Sequence, residues 1–457
     1  MPPRNLTFLL LATAGCLAAW TARDRDAAGR RFADVLAVVD RNALDPVAGD
    51  VLFDAAVDAV IGRLDEHSAF VRGDEQAKLE AALDQQFAGV GLELAIDSRS
   101  GFPVVVAPIV GSPAWRARVR PGTLVAAIDG TPLAGRPLRD AVRLLRGPAG
   151  APVSLGVVPP ADHPTADPTA PPPSVTEIVL VREIVRVESI RGDRRRDDGG
   201  WQWRLEAVPD VALVRITSFG EHTVEDLDRA LEEIVGGEVP LRGIVLDLRG
   251  NPGGLVTAAV EVCDRFLDEG TIVTTRGRRT PAAGDVRRAT AGSAAAGVPL
   301  AVLVDGLTAS AAEIVAAGLQ DNGRAVVAGS RTFGKATVQT LLPLEDGRGL
   351  LKLTTAEYIR PAATPLHRRP DAREDAAWGV MPDRGYEVTP PAEVLERLRD
   401  WRRSRDLPLE RPLVATVSDP ALDLAVASFG PAASAAADFG GQEEAAGDAD
   451  QTATTRE

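Results

Sequence analysis

The amino-acid sequence predicts a multidomain α/β protein in which an N-terminal helical segment and a small β-rich domain precede a larger α/β core. Three observations predict this fold class. Apolar residues before position 86 recur at three- and four-residue spacing, as an amphipathic helix requires. From about position 87 the chain changes to short strand patterns separated by Gly and Pro turns. Further on, apolar runs such as GIVLDL and LAVLV alternate with helical patterns, which is typical of strands buried on both faces.

Composition sets broad limits on function. The 457 residues are enough for two or three domains, and a hydrophobic content of 45% supports real cores. The formal net charge of -14 argues against general nucleic-acid binding, because neutralising phosphates needs a basic surface. The two cysteines, Cys16 and Cys263, do not make a disulfide framework. Cys263 lies in an apolar run, which predicts a small buried side chain.

Residues 1–22 have the pattern of a secretory signal or of a lipoprotein or membrane anchor. Arg4 precedes an apolar run from Leu6 to Trp20, and charged residues follow it. The sequence ATAGC resembles the processing site of bacterial lipoproteins and makes Cys16 the candidate for lipidation, although Thr13 stands where such sites usually carry leucine. We therefore expect export to the periplasm or cell envelope. The sequence leaves open whether this segment is cleaved or retained as a membrane or lipid anchor.

The rest of the chain divides by composition into five segments. They are a helical region at 23–86, a β-rich domain at 87–186 with a Pro-rich insertion at 159–174, the α/β core at 187–385, C-terminal helices at 386–429, and an acidic tail at 430–457 that we expect to be disordered.

The β-rich segment resembles a PDZ domain in its order of strands and in two motifs. These are the loop GVGL at 89–92 and the turn Arg120-Pro121-Gly122 before LVAAIDG. Two glycines let backbone N–H groups converge on a carboxylate, and the strand that follows could pair with an extended peptide. Taken alone, GVGL favours a tight strand entry, and the turn and the helix that follow in order favour the PDZ domain. The predicted peptide-binding residues are Val90, Gly91, Leu92, Ala141, Leu144 and Leu145.

Ser310 begins a predicted helix in the stretch TASAAE. Ser310-Ala-Ala-Glu313 fits a capping box, in which the serine would serve only to start the helix. The motif taken alone therefore favours a structural serine over a nucleophile.

The use of lysine favours catalysis. Only three of the 51 basic residues are lysines, and one of them, Lys335, lies among glycine and small or apolar residues in TFGKATV. Arginine stays protonated, whereas burial can lower the pKa of a lysine enough for it to act as a base. The pattern predicts Lys335 as general base for Ser310, with a surface hairpin lysine as the alternative. No histidine accompanies either candidate turn and no metal-ligand cluster is visible, so we expect neither a Ser-His-Asp triad nor a metal or other cofactor.

TASAAE and FGKATVQ together resemble the active-site motifs of the carboxyl-terminal processing peptidases, also called tail-specific proteases. The resemblance implies that Ser310 is the nucleophile, that Lys335 is the general base and that Gln339 orients the lysine. Ala336 stands where many relatives have glycine. The resemblance also implies crotonase-like strand-helix units in the protease core.

The stretch DLRGNPGG at 247–254 matches the same family. The resemblance implies an oxyanion hole built from the backbone of Gly253 or Gly254 together with Ala311. Such N–H donors stabilise the negative charge that develops on an attacked carbonyl oxygen.

We expect an exported serine endopeptidase that binds substrate C-termini through its PDZ domain and cleaves peptide bonds through an acyl-enzyme. Its expected partners are proteins or peptides with free, apolar C-termini, and not nucleic acid; a homo-oligomer and an adaptor remain open. The alternative is a non-catalytic PDZ scaffold or adaptor on a protease-like fold. A scaffold would need none of Ser310, Lys335 and Gln339, and their joint presence counts against it.

Overall fold

The computed structural model describes residues 27–160, 174–237, 239–279, 284–295, 297–344, 349–373, 375–407 and 416–431. The predicted export segment with Cys16, most of the Pro-rich insertion and nearly all of the acidic tail lie outside these residues.

The described chain contains helices and short strands in the following order. The helices are α1 (Ala27–Asn42), α2 (Gly49–Ile61), α3 (Gly73–Leu83), α4 (Pro113–Arg116), α5 (Leu138–Leu145), α6 (Thr223–Val235), α7 (Val256–Asp264), α8 (Ala311–Asp321), α9 (Ala392–Asp406) and α10 (Pro420–Ala427). The strands are β1 (Ala69–Val71), β2 (Gln86–Gly89), β3 (Leu92–Ile96), β4 (Pro103–Pro108), β5 (Leu124–Ile128), β6 (Thr131–Pro132), β7 (Pro152–Val158), β8 (Thr176–Val181), β9 (Glu183–Arg186), β10 (Ile190–Arg191), β11 (Arg194–Arg195), β12 (Trp201–Gln202), β13 (Val211–Ile216), β14 (Gly243–Asp247), β15 (Thr271–Gly277), β16 (Asp285–Arg288), β17 (Leu300–Val304), β18 (Ala325–Gly329), β19 (Thr337–Pro343) and β20 (Leu350–Ile359). None of these helices is both long enough and apolar enough to cross a membrane.

The chain forms two compact units. The first comprises the described part of Met1–Ala82 with Thr275–Asp285 and Thr337–Tyr358, and the second comprises the rest. In the first unit, β20 pairs antiparallel with both β1 and β19. The N-terminal region predicted as helical thus also contains a strand. Phe53 of α2 and Phe70 of β1 meet edge to face with ring centroids 6.2 Å apart, which packs the helix on the strand.

The second unit contains a mainly parallel sheet with strand order β10-β13-β14-β17-β18. Strands β13, β14, β17 and β18 are mutually parallel, with Leu246 opposite Val302 at the centre. Every residue of β14 and of β17 is buried, as the apolar runs GIVLD and LAVLV predict for strands covered on both faces. Helices α7 and α8 follow these two strands directly, so the strand-helix units predicted from the sequence are present.

The β-rich part of the same unit is a sheet with strand order β3-β4-β5-β7-β8, and β6 pairs with β5. Strands β7 and β8 are antiparallel neighbours, with Val157 opposite Thr176. The Pro-rich insertion thus joins two adjacent strands of one small domain, as predicted. Strand β3 lies at the edge of this sheet, where an additional strand can pair with it.

A buried ion pair attaches the last helix to the parallel sheet. Arg249, just after β14, bonds the Asp419 carboxylate at 2.9 Å, and Asp419 also accepts the N–H of Leu422 in α10 at 3.2 Å. Burial opposes ionisation of Asp419, but the charge of Arg249 prevails and lowers the pKa of the carboxyl group to about 2. The network therefore anchors α10 beside the turn that carries the glycine-rich motif.

Candidate active site

Three neighbouring strands deliver the candidate catalytic segments to one edge of the parallel sheet. DLRGNPGG leaves the end of β14, Ser310 follows β17, and Lys335 follows β18. Because these strands are parallel and adjacent, their carboxyl ends meet at the same edge, where α/β folds place their sites. The sheet therefore brings together segments that are up to 88 positions apart in the sequence, from Asp247 to Lys335.

Ser310 has a backbone conformation that a simple helix cap does not need. The Glu313 side chain accepts the Ser310 N–H at 2.8 Å, as the predicted capping box requires, and α8 begins at Ala311. However, Ser310 has φ 58° and ψ −118°, whereas an N-cap serine normally lies in the β region. A positive φ costs a non-glycine residue conformational energy. Such strain concentrates at functional sites and at nucleophile turns between strand and helix. The side chain is largely buried, with the residue 9% exposed.

Glu313 is the main residue that sequence reasoning underestimated. Its Oε2 accepts the backbone N–H of Ser310 and of Lys335, each at 2.8 Å. Its Oε1 accepts the N–H of Gly334 at 2.7 Å and the hydroxyl of Thr332 at 2.6 Å. One carboxylate oxygen thus holds the backbones of the candidate nucleophile and the candidate base together. The TASAAE motif showed Glu313 as a capping partner, but nothing in the sequence linked it to Lys335.

The chemistry of this position requires a carboxylate. Glu313 is fully buried, and burial raises the pKa of its carboxyl group, while the four hydrogen bonds act in the opposite direction. Four donors converge on two oxygen atoms, and an amide side chain would offer only one accepting oxygen to them. A glutamine at this position would turn its NH₂ group toward two of the donors.

The glycine-rich turn lies against Ser310. A Cβ atom on Gly253 would come within 2.8 Å of the Ser310 Cβ and 3.0 Å of the Ala311 nitrogen, and Gly253 has φ 101°. Only glycine allows this close approach. A Cβ on Gly254 would likewise lie 1.9 Å from the carbonyl oxygen of Phe219, so both glycines are required by space as well as by φ.

The two glycines differ in what their N–H groups do. The N–H of Gly253 is donated to the Asn251 side chain at 2.8 Å, and the Asn251 amide donates in turn to the Ile216 carbonyl at 2.9 Å. The structure therefore favours Gly254 over Gly253 as an oxyanion donor beside Ala311. Ala311 is the first residue of α8, and N–H groups in a first helical turn lack partners within the helix.

Gln339 belongs to the first unit, in β19. Its side-chain nitrogen donates to the hydroxyls of Thr337 at 2.9 Å and Thr354 at 3.2 Å. Lys335 is half-buried in the second unit, four positions earlier in the chain. The roles of Ser310, Lys335 and Gln339 remain predictions.

The predicted peptide-binding residues separate into two groups. Val90, Ala141 and Leu145 are buried in the core of the β-rich domain, and their part in peptide binding stays a prediction. Leu92 and Leu144 are only partly buried and pack on that core, which leaves them as the side chains able to meet a ligand.

The loop before β3 needs its glycine. Gly91 has φ 75°, and a Cβ there would lie 2.2 Å from the Ser112 Cβ. The carbonyl groups of Val90 and Gly91 accept the N–H groups of Ala114 at 3.0 Å and Ile109 at 2.9 Å. The loop is therefore fixed through its carbonyls in a conformation suited to presenting N–H groups.

Among the described residues, no group of three or more His, Cys, Asp or Glu side chains is arranged to hold a metal ion. Cys263 is free and buried, as predicted, and burial strongly raises the pKa of its thiol.

Comparisons with known proteins agree with this architecture. A family model described as peptidase family S41 matches residues 210–384, and a PDZ domain model matches residues 104–159. A carboxy-terminal-processing protease of Bartonella bacilliformis is 34% identical over 371 residues, which cover 79% of this chain and 77% of that protein. A carboxyl-terminal-processing protease of Synechocystis sp. is 32% identical over 349 residues, which cover 74% of each chain. A solved structure of a photosystem II D1 C-terminal processing protease is 29% identical in sequence. The match covers 82% of this chain and 93% of that protein's chain, with a TM-score of 0.43.

The two relatives are similar over most of their length, and this chain belongs to the carboxyl-terminal processing proteases of peptidase family S41. It is a serine-type peptidase with a PDZ domain. The predicted family, fold class and enzyme class are confirmed, and the scaffold alternative is not supported.

The close approach at Gly253 yields a prediction with a matched control. Gly253→Ala should lower kcat by about a hundredfold or more, because the new methyl group displaces the turn from Ser310 and a shift of about 1 Å is enough for such a loss. Gly250→Ala, in the same turn, has a comparable positive φ of 70° but no heavy atom within 4 Å of the new Cβ. It should retain most activity. Equal losses in the two variants, measured as kcat on a peptide substrate, would assign the effect to backbone strain alone.

Proposed function

We propose that this peptidase cleaves peptide bonds with a Ser310–Lys335 dyad. The observation that carries the proposal is the shared Glu313 oxygen, which accepts the N–H of both residues at 2.8 Å. A structural cap would require the bond to Ser310, but it gives no reason for the bond to Lys335.

The dyad would act by acyl transfer. Neutral Lys335 accepts the hydroxyl proton of Ser310 as Oγ attacks the carbonyl carbon of the scissile bond. The carbonyl oxygen becomes an oxyanion, and the N–H groups of Gly254 and Ala311 stabilise it. The lysine ammonium then gives its proton to the leaving amine. A water molecule, deprotonated by the same lysine, hydrolyses the acyl-enzyme and restores the free serine.

Gln339 would act as the third member of the site. In this proposal its amide carbonyl accepts a hydrogen bond from the Lys335 amine and so orients the nitrogen lone pair toward Ser310. Lysine is suited to this role because its amine can lose a proton when desolvated, whereas arginine remains charged.

The PDZ domain would deliver the substrate. Strand β3 is an edge strand, so an extended C-terminal peptide can add to it, and N–H groups of the loop at 89–92 can hold the terminal carboxylate. The partly exposed side chains of Leu92 and Leu144 would then contact an apolar C-terminal residue. Relatives are named for processing carboxyl termini, and we propose the same substrate class here.

The dyad is tested with three variants on an unfolded protein that has an apolar C-terminus. Ser310→Ala and Lys335→Arg should each lower kcat by at least about a thousandfold, because one lacks the nucleophile and the other keeps only a charge that does not act as a base. Lys352→Arg, at another of the three lysines, should cleave like the wild type. Wild-type rates in Ser310→Ala or Lys335→Arg would exclude the dyad.

Delivery through the PDZ domain is tested with paired peptides that differ only at their ends. A peptide with a free carboxylate should show a KM several-fold lower than the same peptide with a C-terminal amide. Leu92→Ala should raise the KM for the free acid, whereas Ile96→Ala, on the same strand and 43% exposed, should not. Identical KM values for acid and amide in the wild type would contradict carboxylate recognition.

We further propose that the protein is exported and acts in the periplasm or cell envelope. The support is residues 1–22, whose apolar run from Leu6 to Trp20 contains the lipoprotein-like sequence ATAGC. In a bacterial host, the full chain should fractionate with the envelope and a chain lacking residues 1–22 with the cytoplasm. Labelled palmitate should mark the full chain but not Cys16→Ser. Envelope protein without label would leave export intact and exclude lipidation, whereas cytoplasmic full-length protein would exclude export.

A further inference from the structure

Gln339 is held by a hydrogen-bonded chain that extends to the N-terminal part of the first unit. Strand β19 contains a bulge between Val338 and Gln339, which places Gln339 opposite Thr354 of β20. Bulges re-aim side chains and occur next to active sites. The Gln339 Nε2 donates to Thr354 Oγ1 at 3.2 Å, and Thr354 Oγ1 donates to the Asp65 carboxylate at 3.0 Å.

Asp65 is itself firmly placed. Its carboxylate accepts the backbone N–H of His67 at 2.8 Å and of Ser68 at 2.9 Å, and the Ser68 hydroxyl at 2.7 Å. The Ser68 hydroxyl oxygen also accepts the backbone N–H of Thr354 at 3.2 Å. The stretch LDEHSAF at 64–70 is thus built around a carboxylate that binds Thr354 of β20.

The direction of each hydrogen bond follows from the number of available protons. Desolvation opposes ionisation of Asp65, but the hydrogen bonds from Ser68, His67 and Thr354 prevail and lower the pKa of its carboxyl group. At neutral pH the group is therefore a carboxylate, which only accepts. Thr354 has one hydroxyl proton and gives it to Asp65, so toward Gln339 it can only accept.

This sequence of donors fixes which way the Gln339 amide faces. The nitrogen of an amide carries two protons, and they go to the hydroxyls of Thr354 and of Thr337, the latter at 2.9 Å. The carbonyl oxygen is then the atom with which the amide can serve a further donor.

We infer that Asp65 and Thr354 are positioning residues that hold the Gln339 amide with its carbonyl oxygen presented as an acceptor for the catalytic lysine. They act through Gln339 and do not touch the substrate. The inference rests on the proposed function, in which Gln339 orients Lys335.

The first test compares two adjacent threonines on β20. Thr354→Val removes the hydroxyl that links Asp65 to Gln339, a hydrogen-bonded chain that we call the relay, with little change in side-chain shape. It should lower kcat about tenfold, the effect of one lost hydrogen bond. KM and the thermal unfolding midpoint should stay near wild type, and Thr354→Ser, which keeps the hydroxyl, should restore kcat. Thr355→Val is the control, because Thr355 is exposed and bonds the Thr340 hydroxyl at 2.7 Å instead. It should leave kcat unchanged.

The second test asks whether the effect passes through Gln339. Asp65→Asn lets the side chain donate to Thr354, which can reverse the relay, and should lower kcat like Thr354→Val. Asp58→Asn, which alters an ion pair with Arg72 in the same unit, is the control. In a Gln339→Ala background, Thr354→Val and Asp65→Asn should cause no further loss, because the group that they position is absent.

The outcomes separate this inference from the proposed function. Undiminished losses in the Gln339→Ala background, equal losses for the two threonine variants, or a fall in kcat that follows the unfolding midpoint would overturn the relay. If Ser310→Ala is inactive and Thr354→Val is fully active, the dyad stands and the relay fails. If Ser310→Ala remains active, the dyad itself is excluded, and the relay fails with it.

Discussion

The site depends on the single buried carboxylate of Glu313. Parallel strands place the segments around Ser310 and Lys335 at one sheet edge, but neighbouring strands are about 4.8 Å apart, which is too coarse to set the geometry of a proton transfer. The carboxylate supplies the finer constraint. Its four hydrogen bonds, between 2.6 and 2.8 Å, fix the start of α8 and the turn before β19 relative to each other. One backbone hydrogen bond also joins the two turns, from the Phe333 N–H to the Thr308 carbonyl at 2.9 Å.

Two features of the backbone at Ser310 go beyond what a helix cap requires. A capping box and a nucleophile turn use the same residue types at the same spacing, so the motif alone does not distinguish them. What separates them is the backbone: Ser310 has a φ of 58°, and Gly253 approaches so closely that no side chain fits. A helix start requires neither feature. The helix cap therefore contributes to the site, since Glu313 stabilises the strained serine while it caps the helix.

Elsewhere in the protein, other carboxylates also act as fixed hydrogen-bond acceptors and determine how the neighbouring polar side chains are oriented. Asp65 accepts a hydrogen bond from the Thr354 hydroxyl, and that hydroxyl accepts one from the Gln339 amide. The ionised carboxylate thus orients the Gln339 amide through Thr354. Asp419 and Arg249 likewise fix α10 beside the glycine-rich turn. In each case the partners are distant in the sequence, and the bulge or the sheet edge brings them together.

The sequence by itself determined the strand-helix pattern of the core, the PDZ-like domain and the identity of the candidate dyad, because apolar periodicity, short motifs and the scarcity of lysine can all be read from the linear chain. It did not reveal that Glu313 binds Lys335, that the N–H of Gly253 is occupied by Asn251, or that Ala141 and Leu145 face the core. Those facts depend on which strands become neighbours, on register and on a bulge, and a linear pattern does not contain them. Tertiary structure alone decided how the hydrogen-bond donors and acceptors of the site are matched.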